Sequence, residues 1–357
     1  MSTIDLTNPA AYSSTTKSRF SCFFSSRSNS RARYPTTATY TADQIHRYFQ
    51  HIGWPAQPLP APGHGNGTTL PLLRSLMTRQ LSAVPFESLS LHYSPTHTLS
   101  LAPNDLFAKV VDRHCGGYCM ENNTFFGTVL RSLGFTITPV GGRVSFATTG
   151  RPGNGYAGWS HMVNIVTIDN VKYLVDVGFG ANGPTKPLPL VSGEETAGIG
   201  TTRFKLTYTA LPGHTDRTQR MWVFSFRGDD DAPWVDAYAF TEMEFFPEDF
   251  EVMNLSTMTL RQSFFVQSVF CVKMAVETWE GGVEEDGEGV EGVGWLTLHG
   301  EKVTRKIAGK PAEGLQELKT EEERVEALKR WFGIELSEAE KGGIQGLSTE
   351  IRGWKMA

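Results

Sequence analysis

Three residues of different chemistry stand in order along this chain: Cys119 in RHCGGYCMENN, His161 in GWSHMVNIV and Asp176 in KYLVDVGFG. A thiol, an imidazole and a carboxylate are the parts of a thiol-based acyl-transfer centre. The thiolate attacks a carbonyl, the imidazole carries the proton, and the carboxylate fixes the imidazole's tautomer and supports its cation. Singly, a cysteine or a histidine in an apolar stretch more often fills the core. Asp176 tips the balance, because a carboxylate inside a YLVDV run costs several kcal/mol unless it is paired. The nearby imidazole is the available partner.

The elements that must position these groups can be read locally. Residues 161–168 (HMVNIVTI) and 171–177 (VKYLVDV) are rich in β-branched residues and are separated only by Asp169 and Asn170, a strong hairpin-turn pair. A two-residue loop sets Ile168 opposite Val171, which puts His161 across from Gly178 and Val163 across from Asp176. His161, Val163, Ile165 and Thr167 then share a face with Gly178, Asp176, Leu174 and Lys172. His161 and Asp176 become diagonal neighbours with Cβ atoms roughly 7–8 Å apart, a gap that one hydrogen bond between their side chains closes. The opposite face, with Met162, Val166, Ile168, Val171, Tyr173, Val175 and Val177, is expected to be the core face. A one-residue slip would turn that apolar set outward.

Gly116 and Gly117 punctuate the chain before Cys119, and residues 119–133 read as a helix. Cys119, Phe126, Val129, Leu130 and Leu133 lie near one face, with Gly134 as the C-terminal stop. A thiol in the first helical turn sits at the positive end of the helix dipole, which favours the thiolate. The free N–H groups of that turn could also stabilise a tetrahedral oxyanion.

VPFESLSLHY at 84–93, GGYCMENN at 116–123, the GWSHMVNIV strand, YLVDVGFG at 173–180 and FFPEDFEVMNLSTMTLRQSFF at 245–265 resemble, in order and spacing, the arylamine N-acetyltransferases. The resemblance covers about residues 40–335. It implies an α+β fold of the cysteine-peptidase-like kind: a helical domain bearing the cysteine at 40–134, a β-barrel domain bearing His and Asp at 135–237, and an α/β lid at 238–357. It implies Cys119, His161 and Asp176 as the triad of a ping-pong acyltransferase. Acetyl-CoA or a related acyl-CoA would be the co-substrate, no cofactor would be held permanently, and an aromatic amine or hydrazine, a xenobiotic-type substrate, would be the acceptor. It also places the Gly178–Phe179–Gly180 loop at the acceptor site, where Phe179 could stack on an aromatic ring. Gly141, Gly142 and Arg143 are candidates for lining the CoA path, although a GGR sequence is common in strand-end turns.

One departure stands out. The family usually carries arginine at the position of Cys115, paired with the glutamate that is Glu87 here. Glu87 is expected to find Arg113, His114 or water instead. PFES also replaces the commoner PFEN. Two rival activities use the same parts: a transglutaminase-like or cysteine-peptidase-type enzyme, which takes amide rather than CoA-thioester donors, and a non-catalytic relative, whose Cys119 would not outpace Cys22 in alkylation.

Composition sets further bounds. A length of 357 residues suggests two or three domains, and a net charge of −5 argues against nucleic acid or an anionic membrane surface as partner. No apolar run reaches the eighteen or so residues of a membrane span. Four cysteines in so long a chain make no disulfide framework, and a reducing, cytoplasmic setting suits a working thiol. Cys115, Cys119 and His114 invite a zinc reading, but no second cluster completes four ligands, so no metal is expected. Residues 1–39, rich in Ser, Thr and Arg with Asp5 as the one acid, fit a disordered tail or a mitochondrial presequence. Residues 55–69 read as a loop. The acidic, glycine-rich stretch 280–294 reads as a hairpin-tip insertion. Thr320 with Glu323 reads as a capping box for a helix stopped by Gly333. Oligomeric state is not encoded in any motif.

Overall fold

A computed structural model describes residues 38–55, 67–278 and 290–352. Nearly all of the N-terminal extension, most of the 55–69 loop and residues 280–289 of the acidic insertion lie outside them.

The first third of the chain is helical, and its helix starts follow the capping rules. Thr41 Oγ1 accepts the Gln44 N–H at 3.2 Å while Gln44 Oε1 accepts the Thr41 N–H at 3.0 Å, opening α1 (Ala42–His51). Thr69 caps α2 (Leu70–Ala83), which carries a proline in its first turn. The two-residue strand β1 (Phe86–Glu87), the short helices α3 (Ser90–Tyr93) and α4 (Pro103–Phe107) and a wider turn of helix at Ala108–Asp112 lead to α5 (Cys119–Ser132). Gly134, at φ 93°, ends α5 as expected.

An antiparallel eight-stranded sheet follows. Its strands are β2 (Thr136–Val144), β3 (His161–Ile168), β4 (Val171–Val175), β5 (Leu188–Pro189), β6 (Glu195–Ala197), β7 (Arg203–Thr209), β8 (Met221–Arg227) and β9 (Val235–Glu244). The order is β5-β4-β3-β2-β9-β8-β7-β6, curled into a nearly closed barrel. The short helix α6 (Phe146–Thr149) interrupts it after β2, and α7 (Pro247–Thr259) and α8 (Phe264–Gln267) leave it. The last sheet joins β1 to β10 (Phe270–Thr278), β11 (Val290–His299), β12 (Lys302–Ile307) and β13 (Glu313–Glu317), in the order β1-β10-β11-β12-β13. Since β10 and β11 pair, the acidic stretch does join two hairpin strands, but the strand resumes at Val290 and takes back 290–294. Helices α9 (Glu321–Ala327) and α10 (Glu338–Gly343) close the described chain. Thr320 caps α9 as expected. The Glu323 carboxylate, however, accepts the N–H of Lys319, one residue before the partner that a reciprocal box requires.

The β3–β4 hairpin has the expected register: Ile168 faces Val171 and Asn164 faces Val175. Asp169 and Asn170 both take positive φ, 48° and 65°, the backbone of a two-residue type I′ turn. The expectation of one core face is corrected. Val163, Ile165 and Leu174 pack inside the barrel with Phe204, Phe224 and Phe240. Val166, Ile168, Val175 and Val177 pack on the other side against Phe125, Phe126 and Val129 of α5. Both faces are buried because α5, which begins at Cys119, covers what would otherwise be the outside of the barrel. Val171, at the turn, escapes both layers and is 43% exposed.

Candidate active site

Three elements converge at the end of the hairpin away from its turn. The ladder between β3 and β4 stops at Asn164–Val175, and His161 and Asp176 lie just beyond, where the strands part. His161 Nε2 and Asp176 Oδ2 are 2.8 Å apart. Asp176 Oδ1 accepts N–H groups from Asn123 Nδ2 at 2.9 Å and from the Gly178 backbone at 2.8 Å. The carboxylate is 1% exposed and is fully served, which answers the cost of burying it. With Nε2 on Asp176, Nδ1 is the ring nitrogen left for the Cys119 thiol, with which the imidazole also interacts. Cys119 opens α5 and is itself 2% exposed, with Sγ 3.7 Å from the Ser160 carbonyl oxygen.

The electrostatics follow from this arrangement. Burial disfavours the imidazolium, but the Asp176 carboxylate and then the Cys119 sulfur outweigh it and push the His161 pKa up to about 10. Burial likewise opposes ionised Asp176, yet His161, Asn123 and the Gly178 N–H hold its carboxyl below the usual range. A charged His161–Asp176 pair at neutral pH is the result.

Gly178 is required by close approach: a Cβ there would stand 2.6 Å from Cys119 Cα and 2.9 Å from Asn123 Nδ2. Phe179 meets the His161 ring edge-on at 5.2 Å and Tyr238 at 4.9 Å, so it forms part of the wall beside the imidazole. Gly180 begins a short 3₁₀ turn through Asn182 against Phe86. Gly142 pairs with His161 across β2 and β3. The Arg143 guanidinium lies over the Trp159 ring at 4.1 Å and donates to the Ala157 carbonyl, on the loop that leads to Ser160. Trp159 in turn meets Phe245.

Sequence reasoning missed three residues. Asn123, one helical turn after Cys119, bonds Asp176 and the Met162 carbonyl and accepts the Val177 N–H, knitting helix to hairpin. Its signal was available, since Asn123 falls four residues after Cys119 on the helix face that carries Phe126 and Leu130, where a buried amide must find partners. Tyr238 packs against His161 with the rings tilted and their centroids 4.6 Å apart, and sets its hydroxyl beside Asp176 without a hydrogen bond of good geometry. It comes from β9, and nothing local marks it. The third is Lys109. Neither Arg113 nor His114 reaches Glu87: Arg113 pairs with Glu340 at 2.5 Å, and His114 meets His51 at 2.9 Å. Lys109 Nζ lies 3.4 Å from Glu87 Oε1 and 2.8 Å from Glu121 Oε1. Its signal was hidden because it sits in an irregular turn of helix whose facing side periodicity does not predict. Among the described residues, no group of three or more His, Cys, Asp and Glu is placed to hold a metal ion.

A family model described as "N-acetyltransferase" matches residues 69–281. The chain belongs to the arylamine N-acetyltransferase family. It is therefore an acyltransferase by kinship. N-malonyltransferase FDB2 of Fusarium pseudograminearum is 39% identical, over 77% of this chain and 81% of that protein. Human arylamine N-acetyltransferase 1 is 31% identical, over 82% and 94%. Among solved structures, arylamine N-acetyltransferase from Nocardia farcinica superposes with a TM-score of 0.67 at 28% identity, covering 86% of this chain and 95% of its own. The Mycobacterium marinum arylamine N-acetyltransferase in complex with CoA superposes with 0.64 at 26% identity, covering 84% and 96%.

Proposed function

We propose that this protein transfers a short acyl group from an acyl-CoA to the amino group of an arylamine or hydrazine through a thioester on Cys119. The observation that carries the reading is the imidazole held at 2.8 Å by a buried carboxylate while its other nitrogen is left to a helix-start thiol.

In the first half-reaction the Cys119 thiolate attacks the thioester carbonyl carbon, forming a new S–C bond. The C–S bond to CoA breaks, and CoA leaves as a thiol with the proton that His161 held. In the second half the amine nitrogen attacks the enzyme thioester carbonyl and displaces the Cys119 thiolate. The amine proton returns to His161, and Asp176 stabilises the imidazolium each time it forms. N–H groups of the first turn of α5 are the candidates for steadying the tetrahedral oxygen.

The donor is the finer question. Relatives named N-malonyltransferase match at 39% and 34% identity, against 30–31% for those named arylamine N-acetyltransferase, which favours malonyl over acetyl as the acyl group. Intact mass spectrometry after mixing with acetyl-CoA or malonyl-CoA, without amine, tests both points. One acyl adduct and one CoA per chain, absent from Cys119→Ala, is the expected outcome, with malonyl-CoA the faster donor. Equal labelling of the alanine variant would remove Cys119 from the mechanism.

A further inference from the structure

The nucleophile helix begins above an uneven buried charge cluster. Glu121 stands in the first turn of α5, two residues after Cys119, and Glu87 lies on β1; their side chains are 3% and 1% exposed. Among the described residues, Lys109 makes the only ion pairs to either carboxylate, and its own side chain is 14% exposed. Glu121 Oε2 accepts the Tyr118 N–H at 3.2 Å, immediately before Cys119. Glu87 spends Oε2 on the Leu89 N–H, and its Oε1 has no hydrogen bond, only the ammonium at 3.4 Å. Two thiols, Tyr118 and Arg113 are the other titratable groups that feel the cluster. Cys115 is pushed up to about 12, chiefly by burial and then by Glu87, and Cys271 is raised for the same two reasons. Arg113 is a cation, but its ion pair is with Glu340 at 2.5 Å.

The same contacts tie two backbone turns together. The Glu87 N–H donates to the Gly117 carbonyl at 3.0 Å, and the Gly117 N–H to the Pro85 carbonyl at 3.3 Å, to which Asn122 Nδ2 also donates at 3.1 Å. A Cβ on Gly116 would fall 1.7 Å from that oxygen, so the 85–87 and 116–118 segments touch without room for a side chain. Lys109 spans this junction from a third segment, Ala108–Asp112.

We propose that Lys109 is a positioning residue for the nucleophile: its ammonium offsets the Glu121 charge beneath the Cys119 thiolate and clamps the Pro85–Glu87 turn to the turn that sets Cys119 at the helix start. The proposal rests on the reading that Cys119 attacks the acyl donor. Burial pushes the Lys109 ammonium down, but Glu121 and Glu87 together outweigh it and hold the lysine charged above its ordinary range. The cation is therefore present throughout the working pH range. Without it, Glu121, two residues from Cys119 in the chain, and Glu87 would be buried carboxylates with no ion-pair partner among the described residues, and like charges repel more strongly in a poorly screened interior than in water.

Iodoacetamide alkylation at pH 7, mapped to Cys119 by peptide mass, tests this alongside single-turnover acylation by malonyl-CoA. Lys109→Met is expected to slow both by about tenfold or more, the penalty of one uncompensated charge, with KM for the donor within about twofold. Lys109→Arg should recover most of the rate. The double variant Lys109→Met/Glu121→Gln should also recover alkylation, because the charge that needed offsetting has gone. A purely structural lysine would give no such recovery. Should Lys109→Met fail to fold, Glu121→Gln and Lys109→Arg carry the test: both must alkylate at least about as fast as wild type, and a tenfold loss in either overturns the proposal. So does a folded Lys109→Met protein with wild-type rates. If the wild-type protein alkylates at Cys119 yet takes no acyl group from CoA thioesters, the transferase reading fails, while the alkylation comparison still decides the role of Lys109.

Discussion

Asp176→Asn keeps the shape of the side chain and removes its charge. Asp176 is the largest influence opposing burial at His161, whose pKa stands at about 10 against an ordinary 6.5. At about 1.4 kcal/mol per unit, that displacement represents about 5 kcal/mol of preference for the protonated ring, close to the roughly 3–5 kcal/mol that breaking a buried pair from one side costs. The pH dependence has a definite sign. Because the Asp176 carboxyl is held below its usual 3.8, its contribution is present above that pH and is lost as pH falls through the folded value. Because His161 is held up, its contribution is full below 6.5 and is lost as pH rises through about 10. The stability gap between wild type and Asp176→Asn should therefore be widest between about 3.8 and 6.5 and close toward about 10. Guanidinium unfolding of both proteins near pH 5.5 and near pH 10 measures it. The introduced amide would also donate to Nε2, forcing the proton onto Nδ1, the nitrogen meant for the thiol. Transfer should then drop by roughly three to four orders of magnitude. A gap that is the same at both pH values, or a His161 NMR signal still titrating near 10 in the variant, would refute the reasoning.

Other substitutions probe the frame around Cys119, His161 and Asp176. Gly178→Ala puts a methyl 2.6 Å from Cys119 Cα, so it should cost about 1–3 kcal/mol and lower acyl transfer by about two orders of magnitude through misplacement of the thiol, seen in unfolding curves and in CoA release. Asn123→Ala removes two donors and leaves the Val177 N–H without its acceptor; a loss of about 2–3 kcal/mol in denaturant unfolding is expected. Val171→Thr, at an exposed position, should change stability by less than about 0.5 kcal/mol, whereas Val175→Thr, fully buried four residues on, should cost more than about 1 kcal/mol. Equal effects at the two would mean that the hairpin is not layered as described.

What the amino-acid sequence determined by itself is the part governed by neighbours in the chain. Asp169 and Asn170 tolerate positive φ, so the turn is two residues long, and a two-residue turn leaves one register; that register already puts His161 and Asp176 within reach of each other. Gly134 and Thr320 mark helix ends for equally local reasons, and the thiol at 119 is placed at a helix start by the glycines before it. Tertiary structure decided the rest. Alternation along β3 cannot say that α5 will cover one face while the barrel closes over the other, so it yields one core face where the protein has two and sets Val171 in the core. Glu87's partner could not be chosen from its sequence neighbours, because Arg113 and His114 are turned away to Glu340 and His51 while Lys109 reaches it from an irregular helical turn. Tyr238 arrives beside His161 from a strand nearly eighty residues later in the chain. Side-chain partners across separate elements depend on how those elements pack, and packing is a property of the assembled core that no short window of sequence contains.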